Sequence, residues 1–247
     1  SLVSYVALEQ EGVYADSIWV GTNTPPALLK QTCLSRVRNL GCDELKAPLR
    51  EALCSSDLQM LRSLYVSRRL AATSKAAVED VLERVPKLQQ LRVNVDSYTQ
   101  PLLSLWTKIA QLPLRSLHVT TNDYKPSAVE LERFCALLES LSGTLLSFEL
   151  SVFDTALISA VCERALSPLH QLTLLDLSSV VLSRQQMGDL CRSMDGMPFL
   201  QDLSILIDGS GCMLALAGFL NCSSFRPLLR LKIYSDASQF DSLVVSS

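Results

Sequence analysis

The chain has 247 residues and a net charge of −3 from 22 basic and 25 acidic residues. Hydrophobic residues make up 48%, aromatics 6% and charged residues 19%, and mean hydropathy is +0.24. This apolar content excludes disorder, and the charge balance gives no footprint for nucleic acid or for an anionic membrane surface. The greasiest stretch, Cys212 to Leu220, is under half of the roughly 20 residues that a membrane-spanning helix needs. The chain is rich in Leu and poor in rings, and that excess needs a structural cause.

In chain order, residues 1–60 come first and read as a helical N-terminal cap or binding-box segment. The chain begins at Ser1 rather than Met, which points to a piece of a longer or processed protein. Thr24-Pro25-Pro26 is a break, and Pro26 suits the first position of a helix. The run Ala27 to Leu40, ALLKQTCLSRVRNL, places Leu28, Leu29, Cys33, Val37 and Leu40 on one side and predicts an amphipathic helix ended by Gly41. A second helix is expected from Asp43 to Cys54. The spacing Leu29-x-x-x-Cys33-x-x-x-Val37 resembles the elongin-binding box of cullin–RING ubiquitin-ligase substrate receptors. That resemblance implies elongin and cullin as partners, with Leu29, Cys33 and Val37 inserting into an elongin groove. A capping unit for the following repeats is the other reading, and it buries the same residues.

From Leu61 onward one pattern recurs: apolar, two variable residues, apolar, one variable, apolar. It reads Leu61-Leu64-Val66, Leu88-Leu91-Val93, Leu114-Leu117-Val119 and Leu145-Phe148-Leu150. It continues as Leu172-Leu175-Leu177, Leu200-Leu203-Ile205 and Leu228-Leu231-Ile233, with starts 26 to 31 residues apart. An earlier copy at Leu34-Val37 is broken by Asn39 in the third slot. Each copy predicts a short strand with alternate residues facing inward. The intervening segments predict helices. Ser74 to Val85 carries a stripe of Ala77, Val78, Val81 and Leu82, stopped by Pro86. Ser127 to Leu141 carries Val129, Phe134, Leu137, Leu138 and Leu141, with Ser127 and Glu130 forming a capping box. Thr155 to Leu166 and Ser183 to Met194 repeat the plan. Residues 212–220 are apolar and small, as expected of a tightly packed helix. The tail 237–247 offers Phe240, Leu243, Val244 and Val245 to cover the last repeat.

A strand followed by a helix at this period resembles the leucine-rich-repeat superfamily, ribonuclease-inhibitor-like subclass, over residues 61–236. The resemblance implies a right-handed α/β solenoid with a parallel concave sheet and convex helices. Its usual Asn or Cys slot holds Arg69, Asp96, Asn122, Phe153, Val180, Asp208 and Asp236, so the turn ladder is irregular. Stacking buries faces that no single unit can bury.

In such a stack the variable strand residues form three stripes in the concavity. Tyr65, Arg92, His118, Glu149, Asp176, Ser204 and Lys232 are central. Ser63, Gln90, Ser116, Ser147, Leu174, Asp202 and Arg230 flank one side, and Ser67, Asn94, Thr120, Ser151, Ser178, Leu206 and Tyr234 the other. Basic residues lie early (Arg68, Arg69, Arg92), acidic ones in the middle (Glu149, Asp176, Asp202), and Arg230 and Lys232 close the series. Such alternation suits a protein partner read by charge, with Tyr65, Arg92, Arg230 and Tyr234 favoured as anchors by type. Enzyme chemistry is not expected, because only His118 and His170 are present and no phosphate-binding glycine loop occurs. No metal or cofactor is expected, since no ligand pair has zinc spacing. Of the eight cysteines, Cys135, Cys162 and Cys191 recur at intervals of 27 and 29 residues, and no CxxC pair occurs, so they read as reduced core thiols of a cytoplasmic or nuclear protein. The expected function is non-catalytic recognition of a protein. Its setting is a ubiquitin-ligase substrate-recognition subunit or, alternatively, the regulatory repeat domain of a larger protein such as an innate-immune receptor.

Overall fold

An alternating strand can bury every second side chain if something apolar lies against one face. The chain uses this device repeatedly. The computed structural model describes residues 16–21, 34–45, 47–70, 72–95, 102–121, 125–152, 154–207, 209–221, 228–235 and 243–246. They fall into two compact units, Ser1–Leu114 and Arg115–Ser247.

The first unit contains strands β1 (Ser17–Val20), β2 (Asn39–Cys42), β3 (Ser63–Leu70) and β4 (Gln90–Val95). They pair in sequence order, all parallel. Helices α1 (Ala47–Ser55), α2 (Ala72–Leu82) and α3 (Leu103–Ile109) alternate with them. The second unit contains β5 (Ser116–Thr121), β6 (Ser147–Ser151), β7 (Leu174–Leu182), β8 (Asp202–Ile207) and β9 (Arg230–Ser235), again parallel and in order. Its helices are α4 (Ala128–Ser140), α5 (Thr155–Ala160, continued by a π turn over Val161–Ala165), α6 (Arg184–Met194) and α7 (Gly209–Leu220). The tail strand β10 (Leu243–Ser246) runs antiparallel to β9, pairing Leu243 with Ile233 and Val245 with Leu231. The tail therefore covers the edge of the last repeat strand; Phe240 lies outside the described residues.

The apolar slots read from the sequence are core. Leu64, Leu91, Leu117, Phe148, Leu175 and Leu203 are all buried, and of the predicted triplets only Leu228 is half-exposed. Ala77, Val78, Val81 and Leu82 are buried on α2. Ser127 caps α4 as expected: its Oγ accepts from the Glu130 N–H and the Glu130 side chain accepts from the Ser127 N–H. Ser183 and Gln186 cap α6 in the same way. Within each unit, one backbone carbonyl before a strand accepts two successive N–H groups of the next repeat. Arg38 O takes those of Arg62 and Ser63, Arg62 O those of Gln89 and Gln90, and Thr173 O those of Gln201 and Asp202. At one rung a side chain joins in: Thr173 Oγ1 donates to Leu146 O at 2.9 Å. Of the residues in the Asn or Cys slot, Val180 is buried, and Asp96, Asn122, Phe153, Asp208 and Asp236 lie outside the described residues.

Several expectations are corrected. The helix over 27–40 does not extend to Leu40. Leu34–Arg36 is a single 3₁₀ turn, and Asn39–Cys42 is strand β2. Val37-Leu40-Cys42 occupies the same slots as Leu61-Leu64-Val66, because Leu40 pairs with Leu64 and Cys42 with Val66. With β1 alongside, the repeat sheet begins well before Leu61, and the segment 1–60 is not purely helical. Val129 of α4 is 62% exposed rather than on the buried stripe. Helix α7 is not packed all round: Leu214 is 74% exposed, while Cys212 and Leu216 are buried.

Candidate recognition face

Register decides which side chains meet on the face turned away from the helices. In the first unit the central row is Trp19, Gly41, Tyr65 and Arg92, each opposite the next on neighbouring strands. Gly41 leaves a notch in this row. A Cβ added there would lie 2.1 Å from Trp19 Cε3, so the indole occupies the space that any side chain at 41 would need. Trp19 thereby reaches past β2 to Tyr65, with ring centroids 5.1 Å apart and planes inclined at 46°. From the other side, Arg92 places Cζ 4.7 Å from the centre of the Tyr65 ring, within cation–π range. Around them Ser63 Oγ donates to Gln90 Oε1 at 2.9 Å, Ser67 Oγ to Asp43 Oδ1 at 3.1 Å, and Asn94 Nδ2 to Ser67 O at 3.3 Å.

In the second unit the central row is His118, Glu149, Asp176, Ser204 and Lys232. His118 Nδ1 lies 2.6 Å from Glu149 Oε2, and Nε2 lies 3.0 Å from Thr120 Oγ1. This is the order hydroxyl, imidazole, carboxylate that a nucleophile, its base and an orienting acid would show. Strand geometry brings the three together: residues two apart on β5 project side by side, and Glu149 is the cross-strand neighbour. Asp176 Oδ1 accepts from the Ser178 N–H at 2.8 Å. Arg230 Nε lies 3.8 Å from Asp202 Oδ1, so this cation is already partly answered. Lys232 is half-buried on the same row, and Tyr234 lies opposite Leu206.

The predicted central row and the flanking row that starts at Ser63 hold within each unit, while the row that starts at Ser67 is broken at two register shifts. The register of β7 shifts between Leu177 and Val181, so Val181 rather than Ser178 lies opposite Leu206. A similar shift in β3 falls between Val66 and Leu70. Arg68 and Arg69 lie in this stretch, with side chains outside the described set. Leu29 and Cys33 also lie outside the described residues. Val37, the third residue of the box, is buried at 3% exposure and is unavailable to a groove. Sequence reasoning missed Trp19 and Gly41. The usable signal was the register of Val37-Leu40-Cys42, which places a glycine in the central slot.

The helix side is different in kind. Cavities of about 460 and 500 Å³ open beside α4 (Glu132, Cys135, Arg164, His170) and beside α1 (Arg50, Cys54, Asp80, Arg84). Both are crossed by polar ties between successive repeats. Arg164 Nη2 donates to Glu132 Oε1 at 2.8 Å, Arg84 Nη1 donates to Cys54 O at 2.8 Å, and Arg50 pairs with Asp80. Burial pushes the Cys135 thiol up, against the lowering effect of Arg164. Burial also holds Cys42 and Cys162 at about 12, with Asp43 and Asp189 adding to the respective shifts. Cys42, Cys54, Cys135, Cys162, Cys191 and Cys212 are free thiols. Among the described residues no group of three potential ligands could hold a metal, and no helix is long and apolar enough to cross a membrane.

No family model and no curated protein matches this chain.

Proposed function

We propose that this chain is a non-catalytic protein-recognition module of leucine-rich-repeat type, a right-handed solenoid whose open sheet face is concave and binds a protein partner. The observation that carries the reading is the alignment of side chains on that face. Register brings Trp19, Tyr65 and Arg92 together in the first unit and His118, Glu149, Asp176, Ser204 and Lys232 together in the second. Aromatic and guanidinium groups are the usual energetic anchors of interfaces, and separated patches of opposite charge give a partner its orientation. The units differ in sign as well. Residues 1–114 hold 13 basic and 11 acidic residues, and 115–247 hold 9 and 14.

The setting of a ubiquitin-ligase substrate receptor draws no support from Val37, which is core. The proposal therefore stands at protein recognition, whether in a ligase subunit or in a regulatory domain of a larger protein. Affinity purification with quantitative mass spectrometry tests it. Wild type is compared with a double variant of the open face, Ser204→Arg with Lys232→Glu, and with Glu51→Lys on exposed α1. Partners retained by wild type and Glu51→Lys but lost from the double variant are the expected result. Equal recovery from all three would remove the open face from consideration.

A further inference from the structure

The Trp19–Gly41–Tyr65–Arg92 row of the first unit is a built arrangement whose charge finds no carboxylate among the described residues. A glycine inside a strand weakens that strand, because it loses more backbone freedom on folding and packs no side chain. Here it clears the sheet so that an edge-strand tryptophan can lie across it. Tyr65 is gripped from both sides, by the Trp19 ring and by the Arg92 guanidinium. Arg92 is exposed, and among the described residues it has no carboxylate within 4 Å and no acceptor for its N–H groups. The contrast with Arg50, Arg164, Arg192 and Arg230, each beside a carboxylate, is direct. A stacked guanidinium is held in place while its donors remain available, which is the arrangement that reads a carboxylate through two parallel hydrogen bonds.

We propose that this row is a binding subsite for an acidic side chain, Glu or Asp, of an extended partner peptide, with the neighbouring apolar residue of that peptide packed on the Trp19 indole. The inference rests on the protein-recognition reading and names the chemistry of one part of it. A cationic ligand is disfavoured: Arg92 already occupies the Tyr65 ring and repels a second positive charge. The basic balance of residues 1–114 favours the same sign of partner.

The test is a selection from a random heptapeptide phage library on the wild-type chain, followed by calorimetric titration of the leading synthetic peptide and of its Glu→Gln or Asp→Asn counterpart. Enriched peptides are expected to carry an acidic residue beside an apolar or aromatic one. Arg92→Gln, Arg92→Lys and the amide counterpart should each weaken binding by about tenfold or more, because a lysine supplies charge without the fork. Arg92→Gln changes an exposed side chain, and an unchanged melting temperature checks that its fold is intact. The Trp19 indole N–H resonance should shift on titration while that of buried Trp106 stays. Peptides that bind Arg92→Gln as tightly as wild type would overturn the inference. If the Ser204→Arg, Lys232→Glu variant abolishes binding of those same peptides, open-face recognition survives and only this subsite fails. If neither variant changes binding, both readings fail.

Discussion

Gly41 shows how much a single residue can decide on a sheet surface. Adding one carbon there sets Trp19 and the strand in conflict at 2.1 Å. Gly41→Ala is expected to displace the indole, shift its emission to longer wavelength, and lower stability by about 1 kcal/mol, the size of an ordinary destabilising substitution. Gly143, with nothing within 4 Å of the added carbon, is the control: Gly143→Ala should change stability by no more than about 0.5 kcal/mol. Fluorescence with thermal melts separates the two. The buried thiols give a second prediction at this scale. Cys42 and Cys162 have folded pKa values near 12 against an ordinary value of 9.0, so the folded state holds its protons longer. Their effect on stability is neutral below about pH 9, and stability falls as pH rises from 9 toward 12, because the unfolded chain ionises first. Urea melts at pH 8, 9 and 10 should show a progressive loss, smaller in Cys42→Ala than in wild type once its own packing cost is measured at pH 8.

Helix ends and strand edges carry the next level of organisation. The capping boxes at Ser127 and Ser183 satisfy N–H groups that the first helical turn leaves orphaned. Ser127→Ala should cost about 1 kcal/mol by chemical denaturation. Gln186 does more than cap, because its Nε2 also donates to Thr155 O and Ser159 Oγ of the preceding helix. Gln186→Ala is therefore expected to cost more than Ser127→Ala, and the reverse order would contradict the role given to it. The Ser127 box was legible from spacing, since Ser-x-x-Glu before an apolar stripe marks a helix start, whereas the Ser183 box shows only in the structure. Strands β1 and β2 were not legible. In β2 the apolar slots are filled by Leu40 and Cys42 around an interior Gly41, and the preceding apolar spacing also fits a helical stripe. Only pairing with Leu64 and Val66 settles which period applies. The bulge in β7 was equally hidden, since the run Ser178-Ser179-Val180 carries no turn signal strong enough to announce it.

At the scale of the whole molecule, the leucine excess has its cause in a repeated slot that a medium-sized apolar side chain fills. The same register that fixed those slots assigned Tyr65, Arg92, Glu149, Asp176 and Lys232 correctly to one face within their units. It could not reveal Trp19, whose place depends on a strand that the sequence pattern did not expose. Within each unit the contact that repeats before the strands is between main-chain groups, which leaves the strand side chains of the open face out of it. The central claim is that this face, rather than the helix side, meets the partner. Site-directed photo-crosslinking tests it most directly, with a photoreactive residue placed in turn at Gln90 and Ser204 on the open face and at Glu51 and Glu132 on exposed helices. Crosslinks to the same partner from Gln90 or Ser204, with none from Glu51 or Glu132, are the predicted result. Crosslinking from the helix positions alone would contradict the account.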